Sequence, residues 1–112
     1  MNLDWFASLP VTITICDERG VILDMNELAA ATFAKEGGRD LIGKSLLDCH
    51  SESSQAQILR MLQVQRSNCY TIEKDGVKKL IYQSPWFQDD KFSGLIEFSF
   101  EIPDSMPHFV RD

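Results

Sequence analysis

From Val11 the chain reads V-T-I-T-I-C-D-E-R-G-V-I-L-D-M-N-E-L-A-A through Ala30, and L-I-G-K-S-L follows at Leu41–Leu46. Val11, Ile13 and Ile15 alternate with Thr12, Thr14 and Cys16, the period of a strand. The alternation stops at Asp17. Asp17 and Gly20 suit a tight turn, because a short carboxylate bonds nearby backbone and glycine accepts positive φ. A second strand is expected over residues 21–25. Asn26 is a strong N-cap residue for the helical run E-L-A-A-A-T-F-A.

Working outward, Leu3–Leu9 reads as a short amphipathic helix, with Leu3, Phe6 and Leu9 near one face and Trp5 widening it. Pro10 ends it, since the residue before a proline avoids the helical region. The helix after Asn26 is expected over 27–35, stopping at Gly37-Gly38. Helical turns are expected at 39–42 and 45–49. Ser51 or Ser53 then caps a longer helix whose apolar side carries Ile58, Leu59, Met61 and Leu62. A strand over 68–74 turns at Asp75-Gly76, a strong hairpin signal. The next strand covers 77–86, a polar connection 87–93, and a last strand 94–102. In that strand Ile96, Phe98, Phe100 and Ile102 form one apolar face, and Glu97 and Glu101 fall on the outer one. Two strands, a helical middle and a three-strand meander predict an α+β fold. Its five-stranded antiparallel sheet has the helices on one face.

The 112 residues argue for a single domain. A chain of this length buries about 65% of its unfolded surface, enough to hold a core without metal or disulfide. The formal net charge is −6. No Lys/Arg stripe interrupts it, so a nucleic-acid partner is not expected. Cys16, Cys49 and Cys69 are an odd, widely spaced set with no C-x-x-C pair, which fits reduced thiols and no structural zinc. No apolar run reaches the length of a membrane span, and the first ten residues lack a basic leader, so a cytoplasmic protein is expected.

The order strand, Asp-x-x-Gly turn, strand, Asn, short helices and an I-G-K segment resembles the PAS sensory domain family. It is closest to the subtype with a Cys-His dipeptide before the long helix, here Cys49-His50. The resemblance covers residues 11–102, with 1–10 a helical segment before the domain and 103–112 a tail. It implies a PAS-like fold and a non-catalytic, bacterial-type sensory module that binds a small molecule or mediates protein association. It implies a homodimer, whose interface is expected to include Trp5 and Phe6, and a histidine kinase or diguanylate cyclase as partner. If the chain is complete, output is expected to pass through association.

The resemblance places the ligand between sheet and helices, near His50, Cys49, Ile58, Leu62, Ile81 and Ile96. Three further readings stand beside it. Haem ligation would use His50. A thiol redox sensor would use Cys49, provided its pKa were lowered. A small α+β enzyme would need an acid, a base and a nucleophile brought together, and no spaced set of these is legible. The flavin photosensors of the family carry N-C-R-F-L-Q after the I-G segment. Here Leu46 stands at the adduct cysteine's place, which argues against flavin photochemistry. The bulky side chains of Phe33, Met61, Leu80, Phe98 and Phe100 raise the alternative of a filled core.

Overall fold

The computed structural model describes residues 4–49 and 51–112, with the side chain of Cys49 outside the described set. Strands β1 (Thr12–Asp17), β2 (Ile22–Met25), β3 (Asn68–Lys74), β4 (Val77–Gln88) and β5 (Lys91–Glu101) form one antiparallel sheet in the order β2-β1-β5-β4-β3. The first strand therefore lies beside the last, pairing Thr12 with Ser99 through Asp17 with Gly94. Helices α1 (Asp4–Ser8), α2 (Glu27–Thr32) and α3 (Glu52–Val64) and three 3-10 turns complete the fold. Among the described residues no helix is long and apolar enough to cross a membrane.

Local chemistry explains the opening. Asp17 Oδ1 accepts hydrogen bonds from the backbone N–H groups of Arg19 and Val21, both 2.9 Å, and Gly20 closes the turn at φ 85°. Asn26 is fully buried and caps α2 through Ala29 N–H at 3.1 Å. The same oxygen accepts from Ile13 N–H, and the amide nitrogen donates to Val11 O at 2.6 Å. One side chain thus ties the helix start to β1 and to the segment entering it. Ser51 caps α3 through Ser54 N–H.

Two expected boundaries differ. Helix α2 ends at Thr32, and Ala34–Glu36 continues as a 3-10 turn before Gly37 and Gly38, both at positive φ. The expected connection over 87–93 is strand: β4 runs to Gln88, β5 starts at Lys91, and only Asp89 and Asp90 turn the chain. Both aspartates are left-handed, at φ 53° and 64°, the backbone of a type I′ turn. Two consecutive aspartates look like a solvated loop in sequence, yet short carboxylates are among the few side chains that tolerate this region. Pro85 sits in β4 beyond the end of β3, where the strand is an edge and a proline is tolerated.

Register decides which residues meet the helices, because directly paired residues share a face. Cys16, Leu95 and Pro85 form one row, Thr14, Glu97 and Gln83 a second, and Thr12, Ser99 and Ile81 a third. This is the helix-covered face: Cys16 and Leu95 pack against Met61 of α3, with Leu46, Leu62 and Phe92 around them. Beside it Ile22, Met25, Ala29 and Leu41 form a second buried cluster that also touches Leu46. The opposite face carries the rows Ile15–Ile96–Ser84 and Ile13–Phe98–Tyr82 and the pair Phe100–Leu80. The apolar face expected for β5 therefore exists but points away from the helices. Glu97, expected on the outer face, lies under them.

Candidate functional site

A cavity of about 110 Å³ opens between α3 and the sheet. Its floor is Thr14 and Cys16 of β1, Leu95, Ile96 and Glu97 of β5, Gln83 of β4 and Tyr70 of β3. Its roof is Leu46 with Ser54, Gln57, Ile58 and Met61 of α3. The helical period brings Ser54, Gln57, Ile58 and Met61 to one side of α3, at spacings of three and four residues. Polar side chains make up half of the lining, although three of its members, Cys16, Met61 and Leu95, belong to the buried core. A second depression lies at the other end of the sheet, with Leu28, Thr32, Lys79 and Glu101 at its edges. It has no buried residue in its lining, so it is surface relief and not a pocket in the core.

Electrostatics mark the first cavity. Burial pushes the Cys16 thiol up to about 11, with the negative charges of Asp17 and Glu97 adding to the effect and a hydrogen bond at the Leu95 backbone opposing it. The Tyr70 phenol is also raised, first by burial and then by Glu97, against a hydrogen bond with Gln83. At neutral pH both groups are uncharged. Cys16 is thus a protonated thiol, inert as a nucleophile. Among the described residues no group of three or more His, Cys, Asp or Glu is placed to hold a metal ion.

Of the residues singled out from sequence, Ile58 lines the cavity from α3, and Ile96 borders it between Leu95 and Glu97 with its side chain on the opposite face of the sheet. Leu62 packs beside it on the Cys16–Met61–Leu95 cluster. Ile81 is buried in the same face, opposite Tyr70 and Ser99, but off the lining. His50 lies outside the described residues, as does the side chain of Cys49. Leu46 bridges the two buried clusters at the cavity roof. The cavity is small against the roughly 300–1,000 Å³ of drug-sized ligand pockets. It has no room for an isoalloxazine or a porphyrin without rearrangement. The bulky Phe98, Phe100 and Leu80 do not fill it, because they are on the other face of the sheet.

Sequence reading missed Thr14, Cys16, Ser54, Gln57, Tyr70, Gln83 and Glu97. A signal was present in β1, where Thr12, Thr14 and Cys16 form the less apolar set. The face pairing of β1 with β5 then carries that set onto Leu95 and Glu97.

Comparisons with known proteins agree with this architecture. No curated protein matches the sequence. The chain is similar in fold to the sensory box sensor histidine kinase from Vibrio cholerae, at 17% identity and a TM-score of 0.65, covering 89% of this chain and 88% of that one. It is similar to the PAS domain from Bordetella pertussis BvgS, at 15% identity and a TM-score of 0.66, covering 90% and 83%. It is also similar to VqmA of Vibrio cholerae in a complex with ligand and DNA, at 20% identity and a TM-score of 0.69. There the match covers 92% of this chain and 50% of VqmA, so the chain spans about half the length of that relative. The family described as the PAS fold matches residues 6–64, over half of the sequence. By that match and by its sheet order, the chain belongs to the PAS fold family.

Proposed function

We propose that this PAS domain is a non-catalytic sensory module that holds a small molecule between α3 and the sheet and relays its presence through protein association. The observation that carries the reading is the lining. Thr14, Ser54, Gln57, Tyr70, Gln83 and Glu97 converge on one cavity that a purely structural core would fill with apolar side chains. VqmA, a fold relative, is described in a complex with a ligand and DNA. The sensory unit is residues 11–102, preceded by the segment 1–10, in which Asp4–Ser8 is helical and Leu3 lies outside the described residues, and followed by the tail 103–112. Cys49-His50 ahead of α3 supports the Cys-His subtype. Native mass spectrometry of protein purified without denaturation tests the reading. A small molecule should accompany the wild type and be lost from Ser54→Trp, which plugs the cavity from α3. A wild type that carries no ligand and takes none from a metabolite library sinks it.

Association is proposed to run through the outer face of the sheet. Ile96, Phe98, Phe100 and Leu80 are half-buried there, and Tyr82 is 39% exposed. Trp5 is 60% exposed on α1 and stacks edge-on with Phe6 at 6.1 Å between ring centroids. Five residues of helix are too few to be stable alone. Partner candidates are a second copy of the chain and a histidine kinase or diguanylate cyclase. VqmA is described as a dimer, and the sensor histidine kinase is a fold relative. Light scattering at micromolar concentration should give a dimer for the wild type and a monomer for the folded double variant Trp5→Asp/Phe6→Asp. A monomeric wild type removes the homodimer.

A further inference from the structure

The two edges of the sheet are finished differently. At the β2 edge the chain covers itself: Ile22 N–H donates to Lys44 O at 2.9 Å, Gly43 N–H donates to Ile22 O at 2.8 Å, and Val21 bridges Ser45. The other edge is β3, and among the described residues no backbone hydrogen bond reaches its free side. Lys74 and Val77 flank the two-residue Asp75-Gly76 turn, so they form a hydrogen-bonded pair, and such pairs alternate along the ladder. The backbone N–H and C=O groups of Cys69, Thr71 and Glu73 therefore point out of the sheet. The seven residues of β3 include no proline and no bulge, two common protections of an edge, and Tyr70 and Ile72 are exposed there.

The segment after β5 has the complementary surplus. Ile102 N–H donates to Lys78 O, and from Pro103 the chain leaves the sheet. Phe109 is 68% and Val110 85% exposed. The Arg111 guanidinium lies 5.3 Å from the Phe109 ring centroid. Side chains two positions apart share a side in extended backbone and not in a helix, so Phe109 and Arg111 already present one face of a strand.

Antiparallel pairing of His108–Asp112 with Cys69–Glu73 matches the two surfaces. His108 then faces Glu73, Phe109 faces Ile72, Val110 faces Thr71, Arg111 faces Tyr70 and Asp112 faces Cys69. An aromatic ring meets a β-branched side chain, a guanidinium meets a phenol ring, and no like charges oppose each other. His108, Val110 and Asp112 take the hydrogen-bonded positions. Pro107 falls opposite Lys74, where a partner N–H points away from β3, so a proline is tolerated. A slip of one residue sets Phe109 opposite Glu73 or Thr71 and takes it off the Tyr70–Ile72 face.

Building on the homodimer reading, we propose that the β3 edge receives the segment His108–Asp112 of a second copy, which adds a strand beside Tyr70. Within one chain β4 separates the start of the segment from that edge, and the segment makes no backbone hydrogen bond to it. A two-fold dimer exchanges both segments at once. So short a strand supplements the contact through Trp5 and Phe6 and does not replace it. Tyr70 lines the cavity, so the seated strand borders the ligand site.

Amide hydrogen exchange on the whole chain, at the micromolar concentration of the dimer, tests the exchange of segments. The N–H groups of Cys69, Thr71 and Glu73 should exchange at least about ten-fold more slowly in the wild type than in Val110→Pro, which lacks the donor opposite Thr71. Tyr70 and Ile72, bonded to β4, should be equal in both. A second probe uses the exposed Cys69. Paired Cα atoms lie about 5.5 Å apart, so Asp112→Cys should form an interchain disulfide with Cys69 under mild oxidation, and Met106→Cys should not. Mass mapping identifies the linked peptides. Free exchange at all three positions in a wild type that scatters as a dimer overturns the proposal and leaves the homodimer standing. Protection that survives in Val110→Pro also overturns it. Protection that persists on dilution to monomer, or a link from 69 to 112 inside one chain, gives the edge to the chain's own segment and overturns the exchange between copies. A monomeric wild type with free exchange at β3 ends both readings.

Discussion

The indole Nε1 of Trp86 donates a 3.0 Å hydrogen bond to the backbone carbonyl of Cys16, seventy residues earlier in the chain. The two strands involved, β4 and β1, are not neighbours; β5 runs between them. The bond exists because Gly94 stands in β5 between Trp86 and Asp17, with no side chain to block the indole. A Cβ at Gly94 would collide with the Cys16 carbonyl oxygen and the Asp17 backbone, and its φ of 148° is one that other residues rarely adopt. The bond holds β4 against the strand whose Cys16 side chain lines the cavity.

Gly94→Ala is therefore expected to destabilise the domain severely, by more than about 3 kcal/mol, because backbone and not a flexible side chain must give way. Trp86→Phe keeps the ring and loses the bond, and should cost about 1 kcal/mol. Urea denaturation of the two variants measures the difference. Equal midpoints for Gly94→Ala and wild type would show that the close approach is absent.

Asn26→Ala should cost about 3 kcal/mol, well beyond the loss of a helix cap alone. The variant loses the bond to Ala29 N–H and also strands the buried contacts with Ile13 N–H and Val11 O. Asn26→Asp separates the two effects. It can still accept from Ile13 and Ala29 but cannot donate to Val11, and it places a charge at a fully buried site. It should be no better than Asn26→Ala in a chemical denaturation series.

Stability should fall as pH rises above 9. The Cys16 thiol ionises near 9 in the unfolded chain and near 11 in the folded one. Below pH 9 both states hold the proton and the group has no effect. Between 9 and 11 the unfolded state releases it first and is favoured, at a cost on the order of 1–2 kcal/mol. Tyr70, raised in the same direction, adds to the decline. Denaturation midpoints at pH 8 and pH 10 measure the slope, and Cys16→Ala should flatten part of it. An identical slope in the variant removes Cys16 as its source.

Thiol labelling at neutral pH should separate two of the cysteines. Cys69 is exposed in β3 and Cys16 is buried. Peptide mapping after brief treatment with a water-soluble alkylating reagent should find Cys69 modified and Cys16 intact until denaturant is added. Native-state modification of Cys16 at a rate matching Cys69 would contradict its burial.

The turn at Asp89-Asp90 offers a stabilising change. Both residues are left-handed. Asp90→Gly relieves the Cβ penalty at the second position, as Gly76 does in the Asp75-Gly76 turn, and should stabilise by about 0.5–1 kcal/mol. A lowered thermal midpoint would mean that the carboxylate contributes more than the conformation costs.

Much of this fold is legible in the chain because its signals are local. Asp17 and Gly20 make their turn from their own backbone neighbours, Asn26 caps the helix that follows it, and Asp75-Gly76 closes a hairpin between adjacent strands. The order of those signals is enough to place β1 beside β5 and to predict the five-stranded sheet. The site is different. Alternation along β5 separates Leu95, Glu97 and Ser99 from Ile96, Phe98 and Phe100, but a period of two has no preferred side. The helices are set by Ile22, Met25, Ala29, Leu41 and Met61, residues far away in sequence, and they come to rest on the set that contains Glu97. Polarity alone pointed the other way, because an acid in a strand is more often solvated than covered. A cavity with polar walls and an apolar sheet face left outside are two sides of that one choice. It was made by packing between distant elements, where no local pattern could record it.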